Sequence, residues 1–451
     1  MYFETDPKAP FAGDDAAAVV LKFLSPDDLK TLDEATQAWA KANGFSGKGG
    51  EVCLVPDGNG AAVRVLAGLG KEPHPLGLGG LAKKLPAGTY TLPDDAPDAA
   101  HLAFAMGAYR FQRYRKAEDE QPRLAGNVDT RTQRLVEMVY MARDLINIPA
   151  NDMGPGALEE AFRRLGAEHG AEVCVTTGDA LIDSFPMVHA VGRASSDAPR
   201  VLDMVWGKAD APRVTLVGKG VTFDTGGLNI KPGSSMALMK KDMGGAANVM
   251  ALAHAIMSAK LNVRLRVIVG AVENAISGNA FRPGDILQSR KGITVEIGNT
   301  DAEGRLVLGD CLALADEEAP HLLIDMATLT GAARVALGPE VMPFYTDDDT
   351  FADALSAKAT EEADPLWRMP LWPGYRSMLD SQVADVNHIS SGAFAGSVTA
   401  ALFLQKFVEK AGTWAHFDIF GWVPKAKPHA PVGGEAQAIR ALYAFLEQRH
   451  G

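Results

Sequence analysis

The chain has 451 residues, 47% hydrophobic and 22% charged, with a formal net charge of −12. That balance is ordinary for a soluble globular protein, but the length exceeds what one compact core usually holds, so two domains are expected. The acidic excess weighs against a general basic surface for nucleic acid, and no apolar run approaches the ~20 residues that span a bilayer. Three widely spaced cysteines, Cys53, Cys174 and Cys311, are expected to be buried thiols, and their odd number suits a reducing compartment. The start, Met1-Tyr2-Phe3-Glu4, lacks the basic and apolar blocks of a secretory leader, so the expectation is a cytoplasmic protein.

The first predicted elements are a strand over 16–23, a helix over 25–43 capped by Ser25 or Asp27, and strand-like sequence over 52–66 broken by the turn Pro56-Asp57-Gly58-Asn59-Gly60. A Gly/Pro-rich span over 73–88 and a helix over 96–115 complete a small N-terminal α/β domain, residues 1–120. The polar stretch 116–128 is the linker candidate, because charge and proline discourage burial. A larger domain, 129–451, then opens with helices over 130–146 and after Gly156. Next come strands at 214–221, 265–272, 294–297 and 322–327, with helices at 245–259 and 305–315 between them. Continuous apolar strands separated by helices imply an α/β fold with a mostly parallel sheet flanked by helices. Trp367, Trp372, Trp414 and Trp422 are expected to be core or subunit-contact residues, and 390–397 a loop.

The chemistry concentrates in two segments. Asn299-Thr300-Asp301-Ala302-Glu303-Gly304-Arg305-Leu306 lies on a strand-to-helix turn, the kind of place where open α/β sheets bind ligands. Acidic residues also favour helix N-termini for capping and dipole reasons alone. A second acidic segment shifts the balance: Val217-Gly218-Lys219-Gly220-Val221-Thr222-Phe223-Asp224-Thr225-Gly226-Gly227, then Lys231, then Lys241-Asp242-Met243-Gly244-Gly245. Asp224, Asp242, Asp301 and Glu303 brought together without cations would repel and be driven toward protonation. Four carboxylates and one lysine amine match the donor needs of two divalent ions with bridging ligands.

These segments resemble the M17 family of dinuclear metallopeptidases, the leucyl (cytosol) aminopeptidases, whose N-T-D-A-E-G-R-L signature is intact. Val272-Glu273-Asn274, Arg282-Pro283-Gly284-Asp285-Ile286 and Ala327-Thr328-Leu329-Thr330-Gly331-Ala332 extend the similarity, which covers roughly residues 130–451. The resemblance implies one metal on Asp224, Asp301 and Glu303, and a second on Lys219, Asp224, Asp242 and Glu303, with zinc or manganese the expected ions. It further implies Lys231 as oxyanion donor, a bicarbonate general base held by Arg305, peptide substrates cleaved behind a free N-terminal residue, and a homohexamer. Met239, Thr328, Gly331 and the position of Phe420 wall the side-chain pocket in the family. Phe420 stands in His416-Phe417-Asp418-Ile419-Phe420-Gly421 where a small residue is usual, so a reshaped, smaller pocket is expected, with Leu-like or other neutral side chains as its substrates.

Other readings fail on their residue requirements. Asp224-Thr225-Gly226 mimics an aspartic protease, but no second such triplet exists to share a proton. Gly218-Lys219 lacks the remainder of a phosphate loop, and the ten histidines contain no H-E-x-x-H. His254, in an apolar helical run, reads as a packed or surface residue. A non-catalytic DNA-binding role is the alternative function; it is weakened by the lack of a basic run in residues 1–125 and has no use for Lys231 and Arg305.

Overall fold

The computed structural model describes residues 4–116 and 120–451, which form two compact units: residues up to Tyr140 together with Val423–Val432, and Met141–Trp422 together with Gly433–Gly451. Among the described residues of the first unit a six-stranded sheet runs Phe11–Gly13, Pro122–Ala125, Gly88–Thr91, Val19–Leu24, Ala62–Gly68, Val52–Pro56, with only the last pair antiparallel.

Several expectations for this unit change. The helix over 25–43 is broken into a 3-10 turn, Pro26–Thr31, and an α-helix, Glu34–Ala42, because Asp33 accepts from the Thr36 N–H and starts a new helix. The helix over 96–115 contracts to Ala100–Ala108. It follows Pro97, which disfavours helical backbone before it, and stops where Tyr109 turns extended and stacks edge-on against Tyr140. Within the expected linker, 117–119 lie outside the described residues, but Pro122–Ala125 is a sheet strand whose Leu124 is fully buried. Leu124 and Ala125 supply apolar burial that outweighs the polar flank.

Among the described residues of the second unit, an eight-stranded sheet has the order Leu366–Met369, Met342–Tyr345, Thr413–Asp418, Leu322–Ala327, Arg213–Asp224, Arg264–Asn274, Arg200–Trp206, Glu172–Thr176. Its four middle strands are mutually parallel, and antiparallel pairs occur only toward the two edges. The middle strands are buried along almost their whole length, as their continuous Val, Leu and Ile content requires. A Cβ on Gly218 would strike Val249 of the helix Gly244–Ala259, whereas one on Gly270 would strike Val307 of the helix Gly304–Glu317. Gly270 is the register partner of Lys219, one residue beyond Gly218, and strand side chains alternate between faces. The two helices therefore cover opposite faces of the sheet.

Trp414 is buried and donates to Asp325, whereas Trp367 and Trp372 are exposed. Cys53 and Cys311 are buried thiols, but Cys174 is exposed on the edge strand Glu172–Thr176, contrary to expectation: an edge strand has an uncovered side. His254 is buried, with its ring 3.0 Å from His169.

A buried bidentate pair ties the helix Thr130–Asn147 to the segment before the last helix: Arg143 Nε and Nη2 each donate over 3.1 Å to the Glu435 carboxylate. Arg143 is fully buried, so Glu435→Ala strips a carboxylate from an enclosed guanidinium and should cost about 3–5 kcal/mol. Chemical denaturation should show this as a lower midpoint; an unchanged midpoint would mean that the pair is replaceable.

Candidate metal centre and substrate cleft

The four middle strands all end on one side of the sheet, and each end delivers part of a single cleft. Arg213–Asp224 ends on Asp224, Arg264–Asn274 on Asn274, Leu322–Ala327 leads into Thr328–Gly331, and Thr413–Asp418 leads to Phe420. A cavity of about 310 Å³ there is lined by every residue singled out from the sequence: Lys219, Asp224, Lys231, Met239, Asp242, Asp301, Glu303, Arg305, Thr328, Gly331 and Phe420. This is the ligand position expected of an open α/β sheet.

Local backbone chemistry brings the motifs together. Gly226 has φ +86°, and a Cβ there would come within 2.4 Å of Asn229 O and 2.9 Å of Asp301 Oδ1, so only glycine lets the first motif turn against the second. Thr300 locks the two: its Oγ1 donates to Gly226 O at 2.6 Å, and its N–H donates to Asn229 Oδ1 at 2.9 Å. Gly304 leaves room for Lys219, whose Cε would lie 2.5 Å from an added Cβ. Asp242, on the 3-10 turn Met239–Met243, accepts from Thr328 Oγ1 at 2.8 Å. Asp418 holds the 328–331 loop through the N–H groups of Leu329 and Thr330 and the Thr330 hydroxyl.

Asp224, Asp242 and Glu303 are 2%, 3% and 1% exposed, and one oxygen from each lies within 4.8 Å of the others. Asp242 Oδ2, Asp301 Oδ1 and Glu303 Oε1 are buried and among the described residues receive no well-angled hydrogen bond; lysine ammonium groups face them. Lys219 Nζ lies 2.7 Å from Asp242 and 3.0 Å from Glu303, while Lys231 Nζ lies 2.8 Å from Asp224 and 2.5 Å from Asp301. Burial alone would depress both ammonium groups, but the carboxylates outweigh it and hold them well above their ordinary range. Desolvation, aided by Asp224, pushes Glu303 up to about 8. Carboxylates with unused lone pairs, Glu303 and Asp301 among them pushed toward protonation by burial, form a donor set fitted to hard or borderline divalent cations. Asn274 and the Gly226 N–H bind the Asp224 Oδ1 from behind, each at 2.8 Å, and orient that carboxylate.

Four contributors carry little sequence signal. Asn274 ends an apolar strand; Lys241 lines the cleft from beside Asp242 with no ligand role of its own, and Arg334 lines it from outside the acidic segments. The fourth is His388, fully buried: its Nδ1 accepts from the Gly298 N–H at 3.2 Å and its Nε2 lies 2.9 Å from Asn299 O, at the entrance of the signature turn. Its own carbonyl accepts from Arg305 Nη1 at 2.7 Å. Only the fold reveals these roles, because residue 388 is 83 positions beyond Arg305.

Desolvation, then the Arg305 charge, lowers His388 to about 3, so its ring is neutral when folded. Unfolded, it takes a proton near pH 6.5; its contribution to stability is therefore complete above that pH. Below it, roughly 1.4 kcal/mol is lost per pH unit until the folded value is reached. His388→Gln should flatten the stability profile between pH 6.5 and 4; an equal slope in both proteins would exclude this source.

Among the described residues no helix is long and apolar enough to cross a membrane. The family model "Cytosol aminopeptidase family, catalytic domain" matches residues 140–443, and "M17 aminopeptidase, N-terminal domain" matches 19–126. A probable cytosol aminopeptidase of Roseiflexus castenholzii is 37% identical over 444 residues, covering 89% of this chain and 91% of its own. The crystal structure of a cytosol aminopeptidase from Coxiella burnetii superposes with TM-score 0.94 at 45% identity, over 98% of this chain and 99% of that one. The bottromycin maturation enzyme BotP, in complex with Mn, gives TM-score 0.87 at 33% identity over 96% and 100%. Two matched domains, full-length relatives and a cleft assembled from the signature residues lead to one assignment: the chain belongs to the cytosol aminopeptidase (M17) family.

Proposed function

We propose that this chain is a two-metal aminopeptidase that hydrolyses the N-terminal residue, Leu-like or other neutral side chains included, from peptides. The observation that carries the reading is the buried trio Asp224, Asp242 and Glu303, with one oxygen of each within 4.8 Å of the others and open lone pairs on Asp242 and Glu303. Asp224, Asp301 and Glu303 would hold one divalent ion; Lys219, Asp224, Asp242 and Glu303 would hold the other. When bound, the ions supply Lewis acidity and lower the pKa of water. Manganese is a candidate because the related BotP is complexed with Mn; zinc also suits oxygen donors and one amine.

The chain's own groups divide the remaining work. Lys219 would have to give up its proton to act as a donor, and divalent ions in the site would offset the carboxylate charge that now keeps it protonated. Lys231, freed from Asp224 and Asp301, presents an ammonium to the oxygen on which negative charge develops. Arg305, buried and lowered by desolvation to about 10, stays cationic at neutral pH and can hold a small anion such as bicarbonate as general base. Its Nε has no hydrogen-bond partner among the described residues. With metal bound, a free substrate amine would be a further donor to it, which would restrict cleavage to N-termini. A homohexamer in the cytoplasm is the assembly and location that we propose with this activity.

The test is hydrolysis of Leu-Gly-Gly against N-acetyl-Leu-Gly-Gly by metal-loaded protein. Cleavage of the free peptide alone is expected. Equal cleavage of both would remove the amine from the account, and a salt-sensitive DNA shift at low nanomolar protein without hydrolysis would favour the binding role instead.

A further inference from the structure

Two cations line the side-chain end of the cleft with no ion pair to a carboxylate among the described residues; Asp242 acts on the first and Asp418 on the second only at longer range. Lys241 is 6% exposed, its Nζ lies 5.1 Å from the centre of the Phe420 ring, and it makes no hydrogen bond or ion pair through its side chain among the described residues. Arg334 lies 5.8 Å from the same ring. Among the described residues its Nη2 donates to the Asp418 carbonyl, its Nη1 meets the Met342 sulfur at 3.3 Å, and its buried Nε has no hydrogen-bond partner. Asp418, the acidic side chain nearest in kind to a counter-ion, spends its oxygens on Leu329, Thr330 and Ser397. The Phe420 ring face compensates the two cations in part, since a ring attracts a nearby cation far less than a carboxylate does.

Met239, Thr328 and Gly331 share this cavity with Lys241, Arg334 and Phe420, so both cations face the space that the substrate's first side chain would occupy. A guanidinium with free N–H groups matches a carboxylate in a two-point bond, and an ammonium beside it adds charge without geometric demand. We infer that Arg334 and Lys241 make this pocket a receptor for an acidic N-terminal side chain, glutamate or aspartate, and that they exclude lysine and arginine there. The inference rests on the aminopeptidase reading and adds to its neutral substrates a class selected by charge. Phe420 contributes by holding both cations against its ring and narrowing the pocket, so that the substrate carboxylate meets them instead of bulk water.

The experiment compares kcat/KM for Glu-, Leu- and Lys-p-nitroanilide with manganese-loaded wild type, Arg334→Met and Arg334→Lys. Wild type should hydrolyse Glu at least tenfold better than Lys. In Arg334→Met the Glu-to-Leu ratio should fall by about tenfold or more, the scale of a lost charge-assisted hydrogen bond, with partial recovery in Arg334→Lys. Wild-type turnover of Leu together with Lys equal to or better than Glu would overturn the inference while leaving the aminopeptidase intact. Silence on all three substrates would sink both. The wild-type comparison needs no variant, so poor folding of a mutant cannot shelter the idea.

Discussion

Glu303→Ala should lose metal and activity together, with kcat/KM falling by more than about 10³-fold, or some 4 kcal/mol of transition-state stabilisation. Glu303 is assigned to both ions and is 1% exposed, so its truncation removes a buried donor from each ion at once. Asp242→Ala should act in the same direction, since Asp242 is the carboxylate nearest Lys219, at 2.7 Å. Elemental analysis of the purified variants checks the first half of the expectation and initial rates at saturating metal check the second. A Glu303→Ala protein that retained two ions and near-normal turnover would show that the carboxylate trio is structural.

Lys231→Ala should separate the two losses. The ammonium now sits between Asp224 and Asp301, so removing it deletes a competitor for those oxygens, and metal affinity should hold or rise. The same deletion removes a positively charged donor from the developing oxyanion, and kcat should drop about 10²- to 10³-fold, as when one preorganised donor is lost elsewhere. Lower kcat with unchanged KM and full metal occupancy is the expected pattern. Normal turnover would retire the oxyanion role, and loss of metal would recast Lys231 as a structural support for the site.

The cleft was legible in the sequence because its ligands are local: Lys219, Asp224 and Lys231 fall on one strand and the turn after it, and Asp301, Glu303 and Arg305 on one strand-to-helix turn. The parallel sheet was legible for the same reason, since continuous apolar strands such as Leu322–Ala327 need cover on both faces. The rest depended on long-range partners. Pro122–Ala125 looks like linker until the strands at Phe11–Gly13 and Gly88–Thr91 take it in. The 25–43 helix divides at Asp33, whose side chain can serve either inside a helix or as a cap, and periodicity does not choose between them. Lys241 and Arg334 are 93 positions apart and draw meaning only from Phe420, which both approach and which the sequence marked merely as bulky. Cations brought together by folding leave no spacing signature, whereas ligands on one turn do.

The most direct measurement is a titration of chelator-stripped protein with Mn²⁺, or with Zn²⁺ in parallel, following p-nitroaniline release from Leu-p-nitroanilide and bound metal in the same samples. The two-metal account predicts negligible activity without metal, and full activity only as occupancy approaches two ions per chain. Undiminished hydrolysis by metal-free protein, or full activity at one ion per chain with no second ion bound, would contradict it.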